Sequence, residues 1–241
     1  MTQVCVIFGA GEYYAGTPVV PTGAYVIAAD GGLDHTRELG IVPDVVVGDF
    51  DSLEGRPPRT AVRTIALPAL KDDPDMLSAL KVGWSVGCRE FHVYGGLGGR
   101  IDHTISGIQL MALLARNGAS GYLYGDGLIV TAITDGRLSF PAHPVPEDGR
   151  MVSAFSHSDV SLGVNEPGLK YELKDGTLTN TVVQGVSNEF RDGVDAAISV
   201  KRGTLIVTFP IEVALPQVSR FHEFGGDIGE LDTEVSKLLV R

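Results

Sequence analysis

Apolar and polar positions follow two different rhythms along this chain. Over the first 140 residues, short apolar runs alternate with stretches of helical spacing. Residues 4–8, 25–29, 45–47, 62–67, 91–94 and 122–124 read as strands. Residues 33–39 read as a short helix, and Met76, Leu77, Leu80 and Trp84 fall on one face of a second. Ile101, Ile105, Ile108, Ala112 and Ala115 recur at the spacing of a third, which Gly118 after Asn117 closes with a left-handed cap. Strands alternating with helices predict a parallel sheet with crossover connections.

Near Ala132 the rhythm changes to short alternating segments separated by turn signals. These are Thr134-Asp-Gly, Glu147-Asp-Gly, Lys174-Asp-Gly, Arg191-Asp-Gly and Lys201-Arg-Gly. Such spacing predicts hairpins of an antiparallel sandwich or barrel. The expected fold is therefore an α/β N-terminal domain with a mostly parallel, Rossmann-like sheet over residues 1–140. An antiparallel β-sandwich or barrel-like domain follows over residues 141–219, with the boundary in the proline-rich stretch 141–149. Residues 220–241 form a C-terminal tail whose last part, 231–240, has weak helical spacing.

Four polar clusters follow directly on four of the expected strands. They are Asp30-Gly-Gly32, Gly48-Asp-Phe-Asp-Ser52, Lys71-Asp-Asp-Pro-Asp75 and Gly95-Gly-Leu-Gly-Gly-Arg-Ile-Asp-His103. Parallel strands send their C-terminal ends to one edge of the sheet, and ligands of open α/β sheets bind there. Asp49 and Asp51, one residue apart, suit Mg²⁺, a hard cation that keeps some water and shares its shell with phosphates. The glycines from Gly95 to Gly99 let backbone approach a ligand and offer N–H groups to anionic oxygens. A helix beginning near Ile101 adds the positive end of its dipole. Arg100 can grip phosphate in a bidentate fork, and Asp102 can reach a metal.

In the third cluster Asp73 is a natural N-cap and Pro74 a natural first helical residue. Asp72 and Asp75 remain for metal or nucleotide, and Lys71 for phosphate. Asp30 has two readings, a ribose contact or a cap for the helix 33–39.

Charge narrows the partners. Thirty acidic and nineteen basic residues among 241 give a formal net charge of −11, which argues against nucleic acid as a partner. A phosphorylated substrate then needs a bridging cation or a local basic patch. Two isolated cysteines, Cys5 and Cys88, predict buried reduced thiols rather than a disulfide framework. No run approaches a membrane span, and the N-terminus lacks a signal-peptide pattern, so a cytoplasmic soluble protein is expected, with no membrane partner. There is no Walker-type phosphate loop and no Gly-x-Ser-x-Gly nucleophile elbow.

Taken in order, these strings resemble the thiamine pyrophosphokinase (thiamine diphosphokinase) family. Its pattern of Ala-Asp-Gly-Gly, Pro-Asp, Gly-Asp-Phe-Asp-Ser, Lys-Asp-x-Thr-Asp and Gly-Gly-x-Gly-Gly-Arg-x-Asp-His appears here at residues 29–32, 43–52, 71–75 and 95–103. Gly168-Leu-Lys-Tyr171 and Val186-Ser-Asn-Glu-Phe190 are similar to the family's thiamine-binding strands.

The resemblance implies Mg²⁺-dependent transfer of a diphosphoryl group from ATP to thiamine, giving thiamine diphosphate and AMP, in a homodimer with sites at the subunit interface. It implies Asp49, Asp51 and Asp75 as metal ligands, joined by Asp102 as the catalytic carboxylates. Asp30, Gly31, Lys71, Asp72, Gly98, Arg100 and His103 would meet ATP. Tyr171, Ser187 and Asn188 would meet the thiamine pyrimidine. Two positions depart from the pattern: Pro74 stands where Thr is usual, and Tyr171 replaces the Trp of some members while keeping an aromatic face.

Two other readings use the same residues. A haloacid-dehalogenase-type phosphatase also places Asp-x-Asp after a strand, but Leu53 stands where it has Thr or Val. A thiamine- or nucleotide-binding regulator with weak or no turnover would keep the fold, with Pro74 as its mark.

Overall fold

The structure is a computed structural model that describes residues 3–14, 16, 18–49, 62–68, 72–145 and 150–234. Asp51, Ser52 and Lys71, expected at the site, lie outside the described residues.

The chain divides into two compact units, Met1–Gly107 with Ile228–Arg241, and Ile108–Asp227. The first holds strands β1 (Gln3–Phe8), β2 (Tyr25–Ala29), β3 (Val45–Gly48), β4 (Arg63–Ala66) and β5 (Cys88–Tyr94) in the order β5-β1-β2-β3-β4. All four neighbouring pairs are parallel, as the alternation with helices predicts. The inner strands read as continuous apolar runs because helices cover parallel sheets on both faces. Cys5, Val6, Ile7, Phe8, Ile27, Ala28 and Val45 to Val47 are wholly buried. Cys5 and Cys88 are both buried free thiols.

Helix α1 (Gly32–Glu38) follows β2, α2 (Asp75–Ser85) follows β4, and α3 (Ile101–Arg116) follows β5. Along α2, Ala79, Leu80, Val82 and Trp84 are buried. In α3 the expected apolar face is only half buried. Leu110, Met111, Ala112, Leu114 and Ala115 are buried, whereas Ile101 and Ile105 in the first two turns are exposed.

Asp73 does not cap α2. The cap position belongs to Pro74, whose ψ of 150° is extended and which makes no side-chain cap bond, while Asp73 pairs with Lys81. A nearby ammonium is a stronger partner for the carboxylate than a helix N–H.

The second unit is antiparallel. It contains β6 (Ser120–Gly125), β7 (Leu128–Phe140), β8 (Met151–Ser156), β9 (Val160–Val164), β10 (Gly176–Thr179), β11 (Asn188–Glu189), β12 (Ala196–Pro210) and β13 (Gln217–Arg220). The long strands β7 and β12 pair along most of their lengths, with β6 and β13 on β7 and with β8 and β9 on β12. Their inner faces enclose Leu138, Phe140, Phe190, Ile198, Leu205 and Phe209. The mixed architecture, parallel early and antiparallel later, is the one expected.

Two expected turns are instead kinks within strands. Thr134-Asp-Gly lies inside β7 and Lys201-Arg-Gly inside β12, where the pairing register shifts between Val200 and Thr204. Asp135 (φ 42°) and Gly203 (φ 119°) take the left-handed conformations, and the Gly203 N–H donates to Asp135 Oδ1 at 2.8 Å. A left-handed residue serves a bulge as readily as a hairpin, so local sequence alone reads the two alike.

Candidate active site

Four strand-end loops of the first unit line one cavity of about 630 Å³. After β1 come Gly9, Ala10, Gly11 and Glu12; after β2, Asp30; at the start of α2, Pro74, Asp75 and Met76; after β5, Gly95, Gly96, Gly98, Gly99 and Arg100. His35 of α1 and His103 of α3 also line it. This is the crevice beyond the strand ends that the parallel topology produces.

Close backbone approach explains the glycines at its floor. The Gly9 N–H donates to the Tyr94 carbonyl at 2.8 Å and the Gly11 N–H to the Gly95 carbonyl at 3.0 Å. A Cβ on Gly11 would stand 2.4 Å from the Gly95 oxygen, and one on Gly95 (φ 70°) would stand 2.6 Å from the Gly9 oxygen. Any side chain here would push the two loops apart. Gly98 meets a different demand: its N–H donates to Thr104 Oγ1 at 3.0 Å, which ties the loop to the first turn of α3. That N–H is therefore spent inside the protein.

Asp30 occupies the left-handed region at φ 46°. For a residue with a Cβ this costs on the order of 1 kcal/mol, a strain that concentrates at functional positions. Helix α1 has Gly31 at its cap with no side-chain cap bond, and Asp30, one residue earlier, lines the cavity. Gly48 packs against Asp30, its virtual Cβ 3.1 Å from the Asp30 Cα, which sets Asp49 on the adjacent strand end. Gly31 abuts Ala10 in the same way. Asp49, Asp72 and Asp102 do not line the cavity itself.

Arg100 and Asp102 form a bidentate pair, Nε to Oδ1 at 3.2 Å and Nη2 to Oδ2 at 2.7 Å, both largely exposed. The guanidinium hydrogen bonds hold the Asp102 carboxyl down to about 2, with help from the His103 N–H. The sign follows directly: Asp102 keeps its charge until pH falls through that value, and without its partner it would protonate at higher pH. In an Arg100→Ala protein the Asp102 carboxyl is expected to titrate in the ordinary range near 4. Carbon-detected NMR titration checks this, and an unmoved midpoint would contradict it.

Sequence reasoning overlooked two parts of this wall. Gly9-Ala-Gly-Glu12 follows β1 just as the four foreseen clusters follow their strands, so the signal was present. His35 carried none, being a lone histidine in a short helix. It closes a column of rings: Phe8 on Tyr13 at 6.3 Å, then Tyr13 on His35 at 3.9 Å between centroids. The last ring of that column lines the cavity.

The remaining expected residues lie in the second unit. Tyr171 is exposed, with Lys170 Nζ 5.3 Å from its ring centre. Ser187 takes φ 58° and its N–H donates to Ser153 Oγ at 3.1 Å. Asn188 is buried and its amide is saturated. Its Oδ1 accepts from the Tyr171 N–H (3.0 Å) and the Glu189 N–H (2.9 Å). Its Nδ2 donates to the Tyr171 carbonyl (2.8 Å) and to Glu166 Oε2 (2.9 Å). Two lone pairs and two N–H groups are all an amide has. Glu166, which sequence reasoning did not single out, is only 4% exposed.

Among the described residues no three His, Cys, Asp or Glu side chains gather as a metal-binding group, and no helix is long and apolar enough to cross a membrane.

Residues 19–123 match the family model "Thiamin pyrophosphokinase, catalytic domain". A search of curated proteins finds no match. Among solved structures, a thiamine pyrophosphokinase from Bacillus subtilis aligns with a TM-score of 0.74 at 21% identity, over 88% of this chain and all of that one. Thiamin pyrophosphokinase from Candida albicans aligns at 0.69 and 13% identity, over 88% of this chain and 90% of that one. The yeast enzyme aligns at 0.66 and 12% identity, over 87% and 86%. The resemblance to the thiamine pyrophosphokinase family is thus established, in sequence over residues 19–123, which hold the cavity wall apart from Gly9 to Glu12, and in fold over most of the chain.

Proposed function

We propose that this chain transfers an intact diphosphoryl group from ATP to the hydroxyethyl oxygen of thiamine, releasing AMP. The observation that carries the reading is the cavity: glycine loops, Asp30, Asp75 and Arg100 line it together, and Asp30, Asp75, Arg100 and the loop Gly95 to Gly99 fall inside the stretch similar to the family's catalytic domain. Glycine-loop backbone and Arg100 suit phosphate oxygens, the N-terminus of α3 adds its dipole, and the ring of His35 offers a flat face to a purine. Asp30 suits a ribose hydroxyl. Tyr171 and Ser187 are the proposed contacts for thiamine.

Mg²⁺ belongs to the proposal. Asp30 and Asp75 place two oxygen donors on the cavity wall, and Mg²⁺ is commonly held by one or two carboxylates with water and phosphate supplying the rest. That donor chemistry fits, with Asp75 on the wall as one proposed ligand; Asp49, which follows β3 without lining the cavity, and Asp51, which the motif supplies, are the others proposed. When bound, the ion would neutralise charge on the transferred phosphoryl oxygens.

In the proposed reaction the thiamine hydroxyl oxygen bonds to the β-phosphorus while the bond from that phosphorus to the α,β-bridging oxygen breaks. AMP leaves with the bridging oxygen, and the hydroxyl proton passes to a carboxylate, Asp51 or Asp75. Positioning and charge stabilisation do the work, with no covalent intermediate. A homodimer with sites at the subunit interface is part of the same reading.

The test is to incubate the chain with ATP, Mg²⁺ and thiamine and separate the products. AMP and thiamine diphosphate in equal amounts are expected, and neither without a divalent metal. ADP with thiamine monophosphate would replace the reading with ordinary phosphoryl transfer, and free phosphate alone would favour the phosphatase.

A further inference from the structure

Glu166 combines two features that seldom occur together by chance. It is 96% buried (4% exposed), and one of its oxygens, Oε1, is shielded from solvent with no hydrogen-bond partner among the described residues. Its other oxygen accepts only from Asn188 Nδ2. Burial pushes its carboxyl above the ordinary range, against the smaller downward pull of the Asn188 bond. A buried acid with half its acceptor capacity unused costs stability, and such groups are kept where they serve something else.

The surrounding bonds show what Glu166 serves. Its own N–H donates to the Leu173 carbonyl, closing the loop 166–173 on itself. Inside that loop Asn188 spans from Glu166 to the main chain of Tyr171, gripping both the N–H and the carbonyl of the tyrosine. Flipping the Asn188 amide would set donors against donors and acceptors against acceptors. The Glu166 bond therefore adds to the main-chain bonds in fixing the one amide orientation that holds Tyr171. Lys170, bonded to Glu189 Oε1 at 2.6 Å, fixes the far side of the same segment.

We propose that Glu166 is a positioning residue for thiamine recognition, orienting Asn188 so that Asn188 holds the exposed Tyr171 ring ready for its ligand. This rests on the function proposed above. It also changes the part played by Asn188: with its amide saturated, the asparagine supports the binding surface from behind, while Tyr171 presents it.

The test compares Glu166→Ala, Glu166→Gln and Glu166→Asp in the full chain. Glu166→Ala is expected to raise the thiamine KM about tenfold, the scale of one hydrogen bond to an ionisable group. The ATP KM should stay within about twofold, a change too small to mark a lost contact. Gln keeps an oxygen at the same reach and should restore most of the affinity, whereas Asp, shorter by a methylene, should not. Should the alanine protein fail to fold, the Gln and Asp pair carries the same comparison.

Hydrogen exchange at the Tyr171 N–H reads the clamp without any substrate, and it should quicken in the Ala or Asp protein but not in the Gln protein. Unchanged exchange, or equal losses for thiamine and ATP, would overturn the proposal while leaving the proposed function standing. Calorimetry showing no thiamine binding by the unaltered chain would overturn both.

Discussion

An Asp75→Asn protein is expected to fold normally and to lose at least about 10²-fold in turnover, the scale set by removing one preorganised charge-stabilising group. Asp75 is the first residue of α2 and lines the cavity. Its carboxylate is favoured there by the helix dipole, so the neutral amide forfeits about 0.3–1 kcal/mol of helix stability. Relief of repulsion among neighbouring carboxylates acts in the opposite direction. The net effect on the melting temperature should be small, and the effect on catalysis large. Steady-state kinetics beside a thermal melt separate the two. Near-normal turnover would remove Asp75 from the chemistry, and a large drop in melting temperature would make it a structural cap. The motif alone carries the same expectation for Asp51.

Gly32→Ala should be among the most damaging substitutions to the fold, although it removes no functional group. A Cβ on Gly32 would lie 1.9 Å from the Phe8 carbonyl oxygen and 2.5 Å from its carbon. Those are main-chain atoms of β1, so no rotamer change relieves the clash, and α1 must move off the sheet. The expected loss is about 3 kcal/mol or more, at the upper end of overpacking. For a chain of this size that corresponds to a fall of roughly 6–12 °C in Tm.

Gly40→Ala is the control. Gly40 has φ 67° with nothing within 4 Å of its virtual Cβ, so only backbone strain of about 1 kcal/mol applies. Denaturation curves for both variants decide the point. Equal losses would mean that conformation rather than close packing explains Gly32. A melt of Gly32→Ala matching the unaltered protein would mean that α1 stands farther from β1 than described.

Much of this architecture was legible because its signals are local. Apolar runs such as Val45-Val-Val47 are strands buried on both faces, and the acids and glycines that follow them mark the sheet edge where a crevice must open. Less was legible where meaning depends on a distant partner. Asp73 has the sequence of a cap but answers to Lys81. Asp135 and Gly203 look like turns and are the two halves of one kink, joined across 68 positions of sequence. Glu166 looks like an ordinary loop acid until the fold brings Asn188 over it.

Asp102, expected as a site carboxylate, pairs with Arg100 two residues away, a contact its sequence position allows but does not announce. Under the proposed function, a phosphate would compete with Asp102 for Arg100. Asp30, whose two readings the sequence left open, has a left-handed backbone, which no local pattern announced, and a place on the cavity wall.

The central claim is that a diphosphoryl group moves intact from ATP to thiamine, and the fate of the β-phosphorus tests it most directly. ATP labelled at that atom should leave all transferred label in thiamine diphosphate and none in the AMP released with it. Label appearing in ADP, or in inorganic phosphate without thiamine diphosphate, would contradict the account.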